Sequence, residues 1–256
     1  MVKEFFRHFW KAKDEHSLHS PFLFEFYNDI IKQKSLPFES GDIIALAKDL
    51  SRDQRELLIN DLGAGSKFSN KKTKKVSGIA KSSVKGFKWS KIIARIIHKY
   101  EFATVLELGT SLGLTTAMMG RATPHGKIYT FEGCSNTLSV AKENLSKLSV
   151  NNATAILGDL DSTLENTVKQ LPRLDLVFFD ANHQYAPTLR YFKLCLSKAH
   201  ENSCFVFDDI YWSEGMTKAW EEIKEHPEVT ISLDFFQIGI VFFRKKQPKQ
   251  NFTLKA

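Results

Sequence analysis

Six acidic residues stand in or directly after short apolar runs: Glu107 in V-L-E-L-G-T-S-L-G, Glu132 in F-E-G, Asp159 in L-G-D, Asp180 in F-F-D-A-N-H-Q-Y, and Asp208 with Asp209 in V-F-D-D-I-Y-W. They divide into two sets by the chemistry they suit. In the first, Glu107 stands two residues before the turn Gly109-Thr110-Ser111-Leu112-Gly113. Glycine at both ends of that turn lets the backbone come close to a ligand. A dinucleotide turn would read G-x-G-x-x-G and offer its amides to a pyrophosphate. A carboxylate aimed at this turn would repel phosphate and suits a ligand with positive charge. Glu132-Gly133 places an acid where a ribose diol would be held by two hydrogen bonds. Gly158-Asp159 suits the edge of an adenine; the alternative is that Asp159 caps the next helix. One acid per run, in order, describes a nucleoside without phosphates.

The second set is catalytic in type. Asp180, Asp208 and Asp209 close two neighbouring runs. Three close carboxylates repel one another unless a cation or a proton is shared among them. A divalent cation with oxygen ligands, Mg2+ above all, suits such a set. His183 follows Asp180 by three residues. With an unperturbed pKa of about 6.5 it suits a general base, or else it simply starts a helix. Tyr211 and Trp212 would wall an aromatic substrate or merely pack.

These side chains act together only if the backbone delivers them to one end of a scaffold. Apolar runs at 104–109, 127–132, 153–158, 174–180 and 203–209 alternate with helical patterns near 114–122, 136–148, 161–171, 185–199 and 214–225. Five strand–helix repeats predict a parallel, doubly wound α/β sheet, with ligands beyond the carboxyl ends of its strands. Two last runs, 229–235 and 238–244, are joined by residues 236–237 alone. That link is too short for a crossover helix, so the pair is an antiparallel hairpin and the sheet has seven strands. Residues 1–60 read mostly as helix, with a start at Ser20-Pro21 and an amphipathic stretch over 41–58.

V-L-E-L-G-T-S-L-G, F-E-G and L-G-D at successive strand ends, with a reversed last strand, resemble the class I S-adenosylmethionine-dependent methyltransferases over residues 90–245. The resemblance implies a Rossmann-like methyltransferase fold and S-adenosylmethionine as cofactor. It implies that Glu107, Gly109, Thr110, Ser111 and Gly113 frame the methionine portion, that Glu132 and Gly133 meet the ribose, and that Asp159 meets the adenine end. Asp180, Asp208 and Asp209 resemble the metal-holding acids of the catechol and caffeoyl-CoA type of O-methyltransferases. Asp209 stands where those enzymes have Asn, and His183 where a lysine is common. The activity implied is methyl transfer to a small-molecule acceptor at a hydroxyl oxygen, with Asp180 and His183 catalytic and Asp180 also among the cofactor-binding residues. The alternatives are an RNA methyltransferase and a non-catalytic nucleoside-binding protein on the same fold.

The net charge of +7 is uneven: residues 1–100 carry 20 Lys and Arg against 11 Asp and Glu. Residues 66–91 hold nine lysines and no acid. They read as a solvated mobile loop or as a patch for an acidic partner such as nucleic acid. Few aromatics and no arginine accompany them, which favours the small-molecule acceptor over RNA. A second glycine turn, L-G-A-G-S at 62–66, leads into that lysine-rich sequence and reads as a structural or lid turn. The division expected is a helical extension over 1–90 with its Lys-rich loop at 66–91, a methyltransferase domain over 91–246 and a flexible tail over 247–256. The amphipathic N-terminal helix suits a homodimer contact. No apolar run is long enough to span a membrane, the N-terminus lacks the pattern of a signal peptide, and three cysteines lack metal spacing. These features lead us to expect a cytoplasmic protein.

Overall fold

A computed structural model of the chain describes residues 2–14, 20–59, 73–85, 87–245 and 247–255. Three helices come first: α1 (Val2–Lys11), α2 (Pro21–Phe26, continued by a π turn over Tyr27–Ile31) and α3 (Gly41–Leu50). A small antiparallel ribbon of β1 (Glu56–Leu58) and β2 (Thr73–Lys75) leads to α4 (Val76–Lys85) and α5 (Phe87–Lys99). Strand and helix then alternate: β3 (Thr104–Leu108), α6 (Leu114–Ala122), β4 (Lys127–Glu132), α7 (Ser135–Lys147), β5 (Ala153–Leu157) and α8 (Leu160–Gln170). The alternation goes on with β6 (Leu176–Phe179), α9 (Tyr185–Leu196), β7 (Cys204–Asp208) and α10 (Glu214–Glu225). The strands β8 (Ile231–Asp234), β9 (Ile238–Phe242) and β10 (Gln250–Thr253) close the chain. No helix among the described residues is long and apolar enough to cross a membrane.

The chain forms two compact units. In Leu36–Thr167, β3, β4 and β5 pair in parallel, with Thr104 opposite Lys127 and Ile128 opposite Ala153. Val105 to Leu108 of β3 are all buried, as expected where helices cover both faces of a parallel sheet. In the second unit, Met1–Ser35 with Val168–Ala256, β6 and β7 run parallel. There β9 is antiparallel to both β7 and β8, so the reversed strand is the one anticipated from its short link. Phe179, Phe192, Phe205 and Phe207 fill the space between β6, β7 and α9, with the Phe179 and Phe207 rings stacked at 4.3 Å.

Three features correct the sequence reading. The mostly parallel sheet has eight strands instead of seven, because residues 250–253 of the expected flexible tail form β10 beside β8. Gln250 N–H donates to the Thr230 carbonyl at 2.8 Å and Leu254 N–H to the Asp234 carbonyl at 2.9 Å. An uncovered β8 would leave that row of backbone groups without partners, and a polar segment satisfies them as well as an apolar one. Secondly, much of the Lys-rich segment is helical: α4 buries Val76 and Ala80, while α5 buries Trp89, Ile92 and Ile93. The lysines there take up positions that the apolar spacing leaves free. Thirdly, α3 stops at Leu50, well short of residue 58, and Asp53 accepts the Arg55 N–H in the turn that follows.

Candidate active site

The glycine turn lies at the carboxyl end of β3, in the unit of residues 36–167. Gly109 and Gly113 have φ of 110° and 76°, backbone that side-chain-bearing residues rarely adopt, and Ser111 between them has φ of 50°. The turn is tied down on several sides. Gly109 and Thr110 N–H both donate to the Phe131 carbonyl, at 3.1 and 2.9 Å, and Asn144 Nδ2 donates to the Leu112 carbonyl at 2.9 Å. A Cβ on Gly113 would stand 3.3 Å from the Ala141 side chain and carbonyl, so the turn sits directly on α7.

Glu132, the last residue of β4, joins that turn to its own. Its Oε2 accepts the Ser111 N–H at 2.9 Å and its Oε1 the Cys134 N–H at 3.0 Å, around Gly133. Glu107 takes a different place from the one expected. It is fully buried beneath the turn, with Oε2 accepting from Thr116 Oγ1 at 2.5 Å and Thr130 Oγ1 at 2.6 Å. Since the single Thr130 proton goes to Glu107, Thr110 must donate across their 2.6 Å contact. Glu107 Oε1 has no partner. Burial therefore pushes this carboxyl up to about 7, against the two threonine hydrogen bonds and helped by the negative charge of Glu132. Asp159 is exposed at the exit of β5, where its Oδ1 accepts the Asp161 N–H at 3.0 Å. It holds the first turn of α8, the helix-cap alternative.

The remaining candidates cluster in the other unit, at the ends of β6 and β7. His183 Nε2 lies 3.6 Å from Asp180 Oδ1, and the ring also bonds the Asp208 carbonyl. Desolvation holds His183 below its usual value, against the nearby Asp209 charge and the Asp208 carbonyl, so its ring is neutral near pH 7. Burial raises Asp208 to about 7, reinforced by Asp209 and opposed by a hydrogen bond from the Asp180 carboxyl. Asp209, with φ of 52°, is also raised by burial, with His183 working against it. Among the described residues no group of three or more His, Cys, Asp or Glu side chains is placed to hold a metal ion. As placed, Asp180, Asp208 and Asp209 do not make a site for Mg2+.

Tyr211 packs instead of lining a substrate wall: its hydroxyl donates to Asp234 Oδ2 at 2.5 Å and its ring stacks on Phe236 at 5.3 Å. The sequence reading missed Thr116, three residues beyond the turn, and Thr130 and Asn144, which lie farther along the chain. It also missed Asn182, with φ of 64°, whose Nδ2 donates to the Tyr191 hydroxyl at 3.2 Å. The second glycine turn, at Gly63 and Gly65, lies outside the described residues.

Residues 106–210, from β3 through the Asp208–Asp209 pair, match the model of a protein family described as a methyltransferase domain. That match spans less than half of the chain. The resemblance to the class I methyltransferases thus holds over the strands that bear every candidate residue. Solved structures of similar fold span most of the chain. Cofactor-bound Rv0187 from MTB is 17% identical over 90% of this chain and 100% of that one, with a TM-score of 0.59. An O-methyltransferase from Bacillus cereus in complex with SAH is 16% identical over 85% and 96%, at 0.55. The O-methyltransferase TomG from Streptomyces achromogenes, involved in tomaymycin synthesis and solved with SAM, is 16% identical over 81% and 99%, at 0.54. No curated protein matches the chain.

Proposed function

We propose that this protein is an S-adenosylmethionine-dependent methyltransferase that methylates a small molecule at a hydroxyl oxygen. The observation that carries the reading is the G-T-S-L-G turn, held in left-handed backbone and pinned by Ser111 N–H to the Glu132 carboxylate. The chemistry of this turn fits the cofactor: it has glycines for close approach and carboxylates where a phosphate would be repelled. When bound, S-adenosylmethionine supplies an electrophilic methyl group on a positively charged sulfur. Glu132 would exchange part of its hold on the turn amides for the ribose hydroxyls. Its hydrogen-bonded partners keep it oriented beforehand, which lowers the entropy lost on binding.

His183 serves as the proton acceptor for the hydroxyl. It is neutral near pH 7, and its bond to the Asp208 carbonyl fixes the ring with Asp180 3.6 Å away, while the charge of Asp209 stabilises the imidazolium once the proton arrives. The acceptor oxygen forms the new bond to the methyl carbon, the electron pair of the broken carbon–sulfur bond stays on sulfur, and the hydroxyl proton goes to His183. We place the protein in the cytoplasm because its three cysteines are free and buried.

Calorimetric titration of S-adenosylhomocysteine, with and without Mg2+, tests the reading on the parent and on Glu132→Ala. We expect micromolar binding that the substitution abolishes while the thermal melt persists. Failure of the folded parent to bind in either buffer refutes the proposal. Binding that requires Mg2+ would restore the metal to Asp180, Asp208 and Asp209.

A further inference from the structure

Among the described residues seven large hydrophobic side chains are exposed, and five fall within the first 24 positions: Phe5, Phe6, Phe9 and Trp10 on α1, and Phe24 on α2. A lone exposed apolar side chain is ordinary, but a row of aromatics on one helix marks an interaction surface. At about 100° per residue, Phe5, Phe9, Phe6 and Trp10 sweep an arc of about 140°. Trp10 is the most open, at 85% exposure.

The opposite side of α1 is anchored. His8 Nε2 lies 3.1 Å from the Asp234 carbonyl oxygen and 3.3 Å from its Oδ1, while Phe5 and His8 meet the Phe236 ring at 5.3 and 5.6 Å. Packing on the β8–β9 hairpin therefore uses the edge of the aromatic arc at Phe5 and leaves Phe6, Phe9 and Trp10 outward. The sequence of α1 holds Lys3, Arg7, His8 and Lys11 against one acid, Glu4, and Lys11 and Lys13 are exposed. Aromatics on one face beside basic residues on the other is the composition of a helix that lies in the plane of lipid headgroups.

We propose that α1 is a docking surface for an anionic phospholipid bilayer, with Phe6, Phe9 and Trp10 entering the headgroup layer and the flanking lysines facing its negative charge. A second copy of the chain suits the surface less well. A two-fold contact would set the same basic helix against itself, in a chain of net charge +7. The inference is independent of the methyl-transfer reading.

The test sediments the full chain with vesicles of phosphatidylcholine alone or of phosphatidylcholine mixed with phosphatidylserine. We expect binding to the mixed vesicles that weakens as salt is raised, with a blue shift in tryptophan emission that Trp10→Ser removes; Trp89 and Trp220 are already buried and Trp212 is half-buried. Phe9→Ser with Trp10→Ser should weaken binding about tenfold or more, and Lys11→Glu with Lys13→Glu should weaken it on the mixed vesicles. All four positions are exposed, so the thermal melt should not move. Leu157→Ser, at an exposed leucine elsewhere, should bind as the parent does. Absent binding to the mixed vesicles, or equal binding to both kinds, would overturn the proposal. So would a concentration-dependent dimer in light scattering that Phe9→Ser with Trp10→Ser dissolves, which would give the surface to a second copy.

Discussion

Replacing Glu107 by glutamine removes a proton equilibrium that the fold makes costly. The carboxyl is fully buried, two threonine hydroxyls serve one oxygen, and the other oxygen has no partner. Burial raises it from an ordinary 4.5 to about 7. The folded chain thus holds this proton more tightly than the unfolded chain does. The associated stability is fully present below 4.5 and is lost as pH rises through about 7. At about 1.36 kcal/mol per tenfold in proton affinity, the whole effect is on the order of 3 kcal/mol, of which about 2.5 kcal/mol falls between about pH 5 and about pH 8.

Urea unfolding of parent and Glu107→Gln at those two pH values isolates the effect. Other titrating groups are common to both chains and cancel. The fixed cost of placing an amide N–H2 among the threonines is the same at either pH and cancels as well. We expect the difference in stability between variant and parent to move by about 2.5 kcal/mol in favour of the variant as pH rises. A difference that stays constant across the range would refute the reasoning. It would mean that the threonine hydrogen bonds keep Glu107 ionised throughout.

Gly239→Ala should destabilise the fold by roughly 3 kcal/mol in denaturant unfolding, because its Cβ would meet the buried Trp220 ring at 2.6 Å. Trp220 cannot swing away without losing its Nε1 hydrogen bond to Asp234 Oδ2 at 3.3 Å. His8 loses charge stability on burial, but its bonds to Asp234 outweigh this and raise it above 6.5. The attachment of α1 should therefore be complete below 6.5 and loosen as pH rises through the raised value, seen as faster amide exchange in α1; His8→Ala should lose that dependence. Ser111→Gly should stabilise the chain by about 0.5–1 kcal/mol, since glycine adopts φ of 50° without the strain a Cβ brings. Thermal melts that show a loss would mean the serine hydroxyl holds the turn.

The scaffold was legible because its strands are apolar runs with acids behind them, and because a link of two or three residues admits only a hairpin. The role of Glu107 was not. In T-V-L-E-L alternation would put the acid on the face opposite Leu106 and Leu108, but helices cover both faces of this sheet, so either face is interior. Its depth follows from Thr116 and Thr130, which only folding brings to it. For Asp180, Asp208 and Asp209 the sequence reveals three charges but not how many stay ionised. Folding buries Asp208 and sets the Asp180 carboxyl within hydrogen-bond reach of it, which the sequence does not display. β10 escaped notice because an edge strand needs backbone partners more than apolar side chains.

Backbone strain separates the strand exits from the rest of the fold. Among the described residues six non-glycine residues have left-handed φ. Glu101 and Ser149 each stand two residues beyond a helix, α5 and α7, where such a turn ends helices routinely. Phe236 sits in the β8–β9 link. The other three, Ser111, Asn182 and Asp209, stand one to three residues beyond β3, β6 and β7. No helix end requires them, and hydrogen bonds hold each in place: Ser111 N–H to Glu132, Asn182 Nδ2 to Tyr191, and the Asp209 carbonyl to Trp212 N–H at 2.8 Å. Strain of this kind costs about 1–3 kcal/mol per residue and persists where the surroundings over-determine it, which is characteristic of sites that must be set before a ligand arrives. Ser, Asn and Asp at these positions look like ordinary loop residues in the sequence. Their conformation, more than their identity, sets these strand exits apart within each unit.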